Sequence, residues 1–224
     1  MKYILNLDGK SNFYAEFGSF MHDILRQYHS GILKKNELTY CYVTHFKEEV
    51  TSDVSPGIRS SYFVQGLDYL ESVKEINHII GCEKEFSCII GGYNFTGFAD
   101  LIYQDESGVI IRDHKSKMLK AKIPNKKRKT DDELDEYLIQ LYLYSNMFRQ
   151  ECGVPADHLE FNCFRSGDII REQRTETGEM NAVMWVKNSI RKIMTCESFK
   201  PNIDYFYCKN LCNMRDQCEY VNEQ

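Results

Sequence analysis

From Cys82 to Lys115 the chain changes its hydrophobic period. Glu83 to Ile90, Tyr93 to Tyr103 and Val109 to Lys115 are rich in β-branched and aromatic residues, and the breaks between them are only Gly91-Gly92 and Asp105-Glu106-Ser107-Gly108. Runs of that length, punctuated that tightly, predict three consecutive antiparallel strands joined by tight turns. On either side the period is helical. Phe17, Phe20, Met21, Ile24, Leu25 and Tyr28 recur at three- and four-residue spacings and predict a helix over 13–33. Ser60 to Ile80 predicts a second helix, ended by Gly81. Residues 117–132, with Pro124 and the acid pair Asp131-Asp132, read as a mobile loop. Leu134, Leu138, Leu141, Ser145 and Phe148 then mark a helix face that ends near Gly153. Leu159 to Phe164 and Ile169 to Thr175 predict a hairpin around Ser166-Gly167-Asp168, and Glu179 to Cys196 a last helix before a cysteine-rich tail. The order of helices, three strands, helix, two strands, helix and tail specifies an α+β or mixed α/β fold, with helices packed on a central sheet.

The 224 residues suit one domain with a small annex. Hydrophobic residues at 42% and charged residues at 27% supply a buried core and exclude a largely disordered chain. The longest charge-free stretch, Phe86 to Ala99, has 14 residues interrupted by Gly91, Gly92 and Asn94, short of the roughly 20 apolar residues of a membrane span. Met1 to Asp8 carries one Lys and a brief apolar patch without a small-residue cleavage site, so secretion is not expected. Nine cysteines, an odd number in a chain this long, fit reduced thiols or metal ligands in a cytoplasm better than a disulfide framework.

Net charge is −5, but it is unevenly spread. Between Arg112 and Lys129 nine basic residues stand against one acid, Asp113, giving +8 there and −13 over the remainder. A basic tract on an acidic body suits a phosphate-backbone contact beside a carboxylate-built metal site. The alternative is a solvated surface loop or a short localisation signal.

The segment that carries chemistry is Gly97-Phe98-Ala99-Asp100 followed by Arg112-Asp113-His114-Lys115. Side chains alternate along a strand, so Asp113 and Lys115 share one face and His114 takes the other. A hairpin through Gly108 brings Asp100 across from Asp113. Two carboxylates that close suit a hard cation such as magnesium or manganese, and a neighbouring lysine can orient a nucleophile or neutralise developing charge. For an isolated Asp-x-Lys the alternative is a cross-strand ion pair. Gln140 and Tyr144, four apart on one helix face, can hydrogen-bond to a phosphate or to that strand. His22, in Gly18-Ser19-Phe20-Met21-His22-Asp23-Ile24-Leu25, can add an imidazole ligand, or serve as a hydrogen-bonded helix histidine.

Taken in order, Gly18, His22 and Leu25, then Gly97 and Asp100, then Asp113 and Lys115, then Gln140 and Tyr144 resemble the PD-(D/E)XK nuclease superfamily. Within it they resemble the RecB and AddB nuclease branch, with its related phage exonucleases and CRISPR-adaptation nucleases. The resemblance spans about residues 14–220 and implies a restriction-endonuclease-like core. A single nuclease domain over 1–224 would then divide into a helical part, 1–81, a nuclease core, 82–196, and a tail, 197–224. The resemblance also implies roles. His22, Asp100, Asp113 and the main-chain carbonyl of His114 would hold magnesium or manganese, and Lys115 would be the catalytic lysine. Gln140 and Tyr144 would position substrate and strand. Asp113 stands where the family often has Glu. Glu83 matches a less regular family acid and reads as structural.

Phe199-Lys200-Pro201-Asn202 leads into Cys208, Cys212 and Cys218. Several members of the resembled branch hold a [4Fe–4S] cluster with three such cysteines and a fourth upstream of the His-bearing helix, a staple between the chain ends. No cysteine precedes His22 here, so the chain reads as truncated at its start relative to those members, with Cys41 the nearest substitute. The alternative for the tail is reduced structural cysteines. Cys82, Cys88, Cys152, Cys163 and Cys196 read as core thiols, and Trp185 as core packing.

The function expected is a magnesium- or manganese-dependent deoxyribonuclease. It would act as an exonuclease on DNA ends or single strands in recombination, repair or phage replication. Lys126, Lys127, Arg128 and Lys129 would lie on the DNA backbone. No Gly-x-x-x-x-Gly-Lys-Ser/Thr occurs, so any unwinding would come from a helicase or recombination partner. Two other readings stand beside it: a DNA-binding scaffold on the same fold without turnover, and a metal-binding redox or sensor module built on the tail.

Overall fold

The computed structural model describes residues 9–198, 203–218 and 220; the segments Met1 to Asp8 and Phe199 to Asn202 lie outside it. Three helices come first: α1 (Phe13–His29), α2 (Leu38–Glu49) and α3 (Pro56–Ser72). Asn12 caps α1, its side-chain oxygen accepting from the Ala15 N–H at 3.0 Å. Phe13, Phe17, Phe20, Met21, Ile24 and Leu25 form the buried stripe expected from their spacing. The helix stops at His29, four residues short of the predicted end, where Gly31 takes a left-handed φ of +74°.

Helix α2 was not expected from the sequence. Its buried residues are only Leu38, Tyr42 and Phe46, a single line at four-residue spacing. Their neighbours Tyr40, Val43 and Thr44 blur that line with strand-like residues. The second predicted helix is displaced: α3 starts with Pro56 at its first turn and ends at Ser72, and Ile79 already belongs to a strand. Gly66 sits where α2 crosses, and a side chain there would strike the Tyr42 ring.

The sheet has five strands in the order β1 (Ile79–Ile90), β2 (Tyr93–Asp105), β3 (Gly108–Lys115), β4 (His158–Cys163) and β5 (Asp168–Gln173). The first three are the antiparallel meander predicted, and β4 and β5 pair as the predicted hairpin. Strand β4 runs parallel to β3, which makes the sheet mixed. The crossover between them is α4 (Lys129–Cys152), closed by Gly153 in a left-handed conformation. Helix α4 takes in Lys129, Asp131 and Asp132, assigned above to the loop, because Asp131 accepts from the Arg128 N–H at 2.8 Å and starts the helix there. Helices α5 (Glu176–Thr195) and α6 (Tyr205–Asn210) follow.

Two large apolar cores flank the sheet, beside a small cluster of Leu101, Tyr103 and Ile110. Helices α1 to α3 and Phe164 enclose Phe17, Met21, Ile24, Leu25, Tyr42 and Leu70. On the other side Phe86, Ile111, Leu134, Leu138, Leu141, Phe161 and Val186 join the sheet to α4 and α5. Trp185, expected in the core, is 52% exposed on α5, because the buried line of that helix runs through Ala182 and Val186. Among the five cysteines expected in the core only Cys163 is buried, and Cys152 and Cys196 are exposed where their helices end. No described helix is long and apolar enough to cross a membrane.

Candidate active site

Strands β2 and β3 pair from Asp105 and Gly108 as far as Leu101 and Arg112, and then part. At that fork Asp100 turns its carboxylate into the gap, and Oδ2 accepts the His114 main-chain N–H at 2.6 Å. The same oxygen lies 3.5 Å from His22 Nδ1 on α1. Pairing of β1 with β2 also breaks here, between Cys82–Leu101 and Lys84–Ala99. The pair left out of the ladder is Glu83 opposite Asp100, and Glu83 holds a left-handed φ of +46°. That turn swings its carboxylate inward, and one ligand atom each of His22, Glu83 and Asp100 lies within 4.8 Å of the others. Glu83, read above as structural, thus joins the site. The signal that could have found it is conformational, a kink in a strand opposite Asp100, and residue type alone does not carry it.

Asp113 and Lys115 share one face as strand alternation requires, with Lys115 Nζ 2.7 Å from Asp113 Oδ2. The approach lacks hydrogen-bond alignment, and Asp113 Oδ2 is buried without a hydrogen-bond partner. Lys115 donates instead to Gln140 Oε1 at 3.1 Å, and Gln140 Nε2 donates to Tyr144 Oη at 2.8 Å. The Tyr137 ring lies 5.2 Å below the ammonium. Gly97 lets α4 approach this closely, since a Cβ there would stand 2.9 Å from Tyr144 Cε1. Asp113 lies outside the His22–Glu83–Asp100 group, although its charge acts on all three.

The electrostatics fit a cation-binding site. Burial and then the charge of Asp113 raise Asp100 above the usual carboxylate range. Burial also raises Asp113, with Lys115 opposing it, and raises Glu83, with Arg26 opposing and Asp113 and Asp23 adding to it. His22 is lowered by burial against the pull of Asp113 and of the His114 main chain. Three acids crowded together and partly out of water form a hard oxygen-rich donor set suited to a divalent cation.

Behind the strand lies a buried polar layer. The His114 ring is buried, with Asn162 Nδ2 2.7 Å from its Nδ1, and it stacks on His29 at 5.8 Å. Arg112, counted above in the basic tract, faces away from solvent, its Nε donating to the buried Glu160 Oε1 at 2.5 Å. The rest of the tract is largely neutralised by the start of α4. Lys117 pairs with Glu133, Lys122 with Asp135 at 2.5 Å, Lys127 with Asp132 at 2.9 Å and Arg128 with Asp131 at 2.9 Å. Lys120, Lys126 and Lys129 have no carboxylate partner among the described residues.

The tail folds back to the segment ahead of α1. The Lys10 N–H donates to the Asn213 carbonyl at 2.8 Å, Asn12 Nδ2 to the Leu211 carbonyl at 3.0 Å, and Arg215 to the Ser11 carbonyl at 3.0 Å. Cys208, Cys212 and Cys218 are half-buried free thiols in this clamp. They are one short of the four cysteines a [4Fe–4S] cluster takes, and Cys41 is hydrogen-bonded with His45 on its own helix.

A family follows from comparison with known proteins. The family model of the PD-(D/E)XK nuclease superfamily matches residues 1–219, and the chain belongs to that superfamily. The mixed five-stranded sheet between helical layers is a restriction-endonuclease-like fold. Among solved structures, a candidate exonuclease from Eubacterium rectale is similar over 85% of this chain and 78% of its own, at 11% identity and a TM-score of 0.47. The structure of SSO0001 is similar over 91% of this chain and 96% of its own, at 17% identity and a TM-score of 0.34. No curated protein matches the chain.

Proposed function

We propose that this nuclease-superfamily protein is a magnesium- or manganese-dependent deoxyribonuclease. It acts as an exonuclease of the RecB and AddB type on DNA ends or single strands, within a single nuclease domain over 1–224. The observation that carries the reading is the meeting of His22, Glu83, Asp100 and the Asp113–Lys115 pair at one fork in the sheet. His22, Glu83, Asp100, Asp113 and the His114 carbonyl would hold the cation. Bound there, the ion supplies Lewis-acid stabilisation of charge on a phosphodiester oxygen and lowers the pKa of water.

The protein's own groups do the rest. Lys115 holds a positive charge 2.7 Å from Asp113, where it can orient a nucleophile and neutralise charge in the transition state. Gln140 fixes that ammonium and is itself fixed by Tyr144, so its angle is set before substrate arrives. The His114 N–H holds Asp100 in place. Of the basic tract, Lys120, Lys126 and Lys129 are free of a carboxylate among the described residues and can take a DNA phosphate, while Lys127 and Arg128 are engaged with α4. Unwinding of duplex DNA belongs to a separate partner.

The test is digestion of linear and closed circular DNA with magnesium or manganese. Loss of the linear form alone is expected. Cutting of the circle would replace exonuclease with endonuclease, and cleavage of neither would favour a DNA-binding scaffold.

A further inference from the structure

Many cations around the site are paired, and besides the free lysines of the basic tract Arg165 flanks it without a carboxylate partner among the described residues. The preceding residue, Phe164, donates its N–H to the Lys115 carbonyl at 3.2 Å, so Arg165 stands at the end of the catalytic strand. Its guanidinium carbon lies 3.6 Å from the centroid of the Tyr62 ring. Nε donates to Gln65 Oε1 at 2.9 Å, and Nη1 reaches the Ser116 carbonyl at 3.5 Å. Among the described residues no carboxylate pairs with it; burial lowers its pKa, and only Tyr62 and Tyr14 oppose that. A half-buried guanidinium without a counter-charge is favoured by the arrival of an anion.

Its surroundings lead to the metal-binding group. Tyr62 meets Tyr14 edge-on at 5.6 Å. Tyr14, Gly18 and His22 are four residues apart on α1 and so lie along one line of the helix, with Tyr14 about 12 Å from His22 at 1.5 Å per residue. Gly18 keeps the floor between them low, and even a Cβ there would meet only Ser116 Oγ at 3.8 Å. A stacked strand advances about 3.4 Å per nucleotide. One laid along this line with its scissile phosphate at His22 therefore carries a further phosphate past Gly18 and Ser116 toward Arg165.

We propose that Arg165, backed by Tyr62 and flanked by Tyr14, is a subsite for single-stranded DNA. The guanidinium takes a backbone phosphate with its edge and a neighbouring base on its outer face. The proposal rests on the nuclease reading and narrows its substrate to a single strand held at a named residue. A duplex offers phosphates but keeps its bases stacked inward, so a guanidinium laid flat on an aromatic ring suits a strand whose bases are free.

The experiment is fluorescence anisotropy of a labelled oligodeoxythymidylate with the full chain in EDTA, over a range of salt, beside a blunt duplex. Losing one single-strand phosphate contact lowers the slope of log affinity against log salt by about 0.7. Arg165→Ala is expected to lower it by that amount and weaken binding about tenfold, and Arg165→Lys to keep the slope with weaker binding. Tyr62→Phe, which keeps the ring packed on Phe13 and Phe17, is expected to bind like the wild type, whereas Tyr62→Ala loses about tenfold on the single strand. Unchanged affinity and slope in a folded Arg165→Ala would overturn the subsite, and equal losses on the duplex would overturn the single-strand assignment. Degradation of DNA by wild-type protein with magnesium is measured in parallel. A wild type that binds the strand without degrading it contradicts the nuclease reading and leaves the subsite standing.

Discussion

A left-handed backbone at a non-glycine residue costs about 1 kcal/mol or more and persists where its surroundings enforce it. Glu83, at φ +46° beside His22 and Asp100, is such a residue. Glu83→Gly relieves the strain and removes the ligand together. Its melting temperature is expected to hold or rise while magnesium affinity, read by calorimetry, falls about tenfold; a fall in stability with affinity unchanged would make Glu83 structural. His29 allows a separate test. Burial lowers it from about 6.5 to about 4, so between those values the unfolded chain binds a proton that the folded one refuses. Its contribution is complete above the unfolded pKa and is lost as pH falls through the folded one, up to about 3 kcal/mol. His29→Phe should therefore flatten the loss of stability between about pH 6.5 and 4 relative to wild type, as denaturant melts would record. Most of this site was legible because its rules are local: strand parity puts Asp113 with Lys115, and helical spacing puts Gln140 with Tyr144. Glu83 and Arg165 were not, since a kinked strand and a ring from a distant helix decide what they face.

Elements explain where the charge went. The basic run between β3 and α4 precedes Asp131, Asp132, Glu133 and Asp135, and a window closed at Lys129 cannot show that the next turn of helix folds back to neutralise it. Arg112 entered the same count but belongs to β3, where the buried Glu160 accepts from Arg112, from Tyr103 Oη at 3.0 Å and from Arg171 Nε at 2.7 Å. Truncating that carboxylate leaves the buried Arg112 guanidinium without a counter-charge, while Arg171 keeps Asp105 at 2.9 Å. Glu160→Ala is expected to cost about 3–5 kcal/mol in urea unfolding. A loss below about 1 kcal/mol would mean that water reaches the layer and screens it. The strands and α1 were readable from periodicity, whereas α2, with three buried residues in a strand-like stretch, acquires its meaning only from packing on α1 and α3.

At the scale of the molecule, two apolar cores clamp a mixed sheet, and the chemistry collects where β2 and β3 separate. One layer supplies His22, the other supplies Gln140 and Tyr144, and the sheet supplies Asp100, Asp113 and Lys115, so the site exists only when both layers are docked. The tail ties Ser11 and Asn12 at the start of α1, and with them the helix that carries His22. The central claim is metal-dependent hydrolysis of DNA through this fork. Its most direct measurement is release of nucleotides from end-labelled DNA by wild-type protein and by Lys115→Ala, with magnesium and with EDTA. The account predicts release by the wild type with metal, none in EDTA, and a loss of about 10³-fold in a Lys115→Ala protein with unchanged melting temperature. Undiminished release by Lys115→Ala, or release that survives chelation, would contradict it.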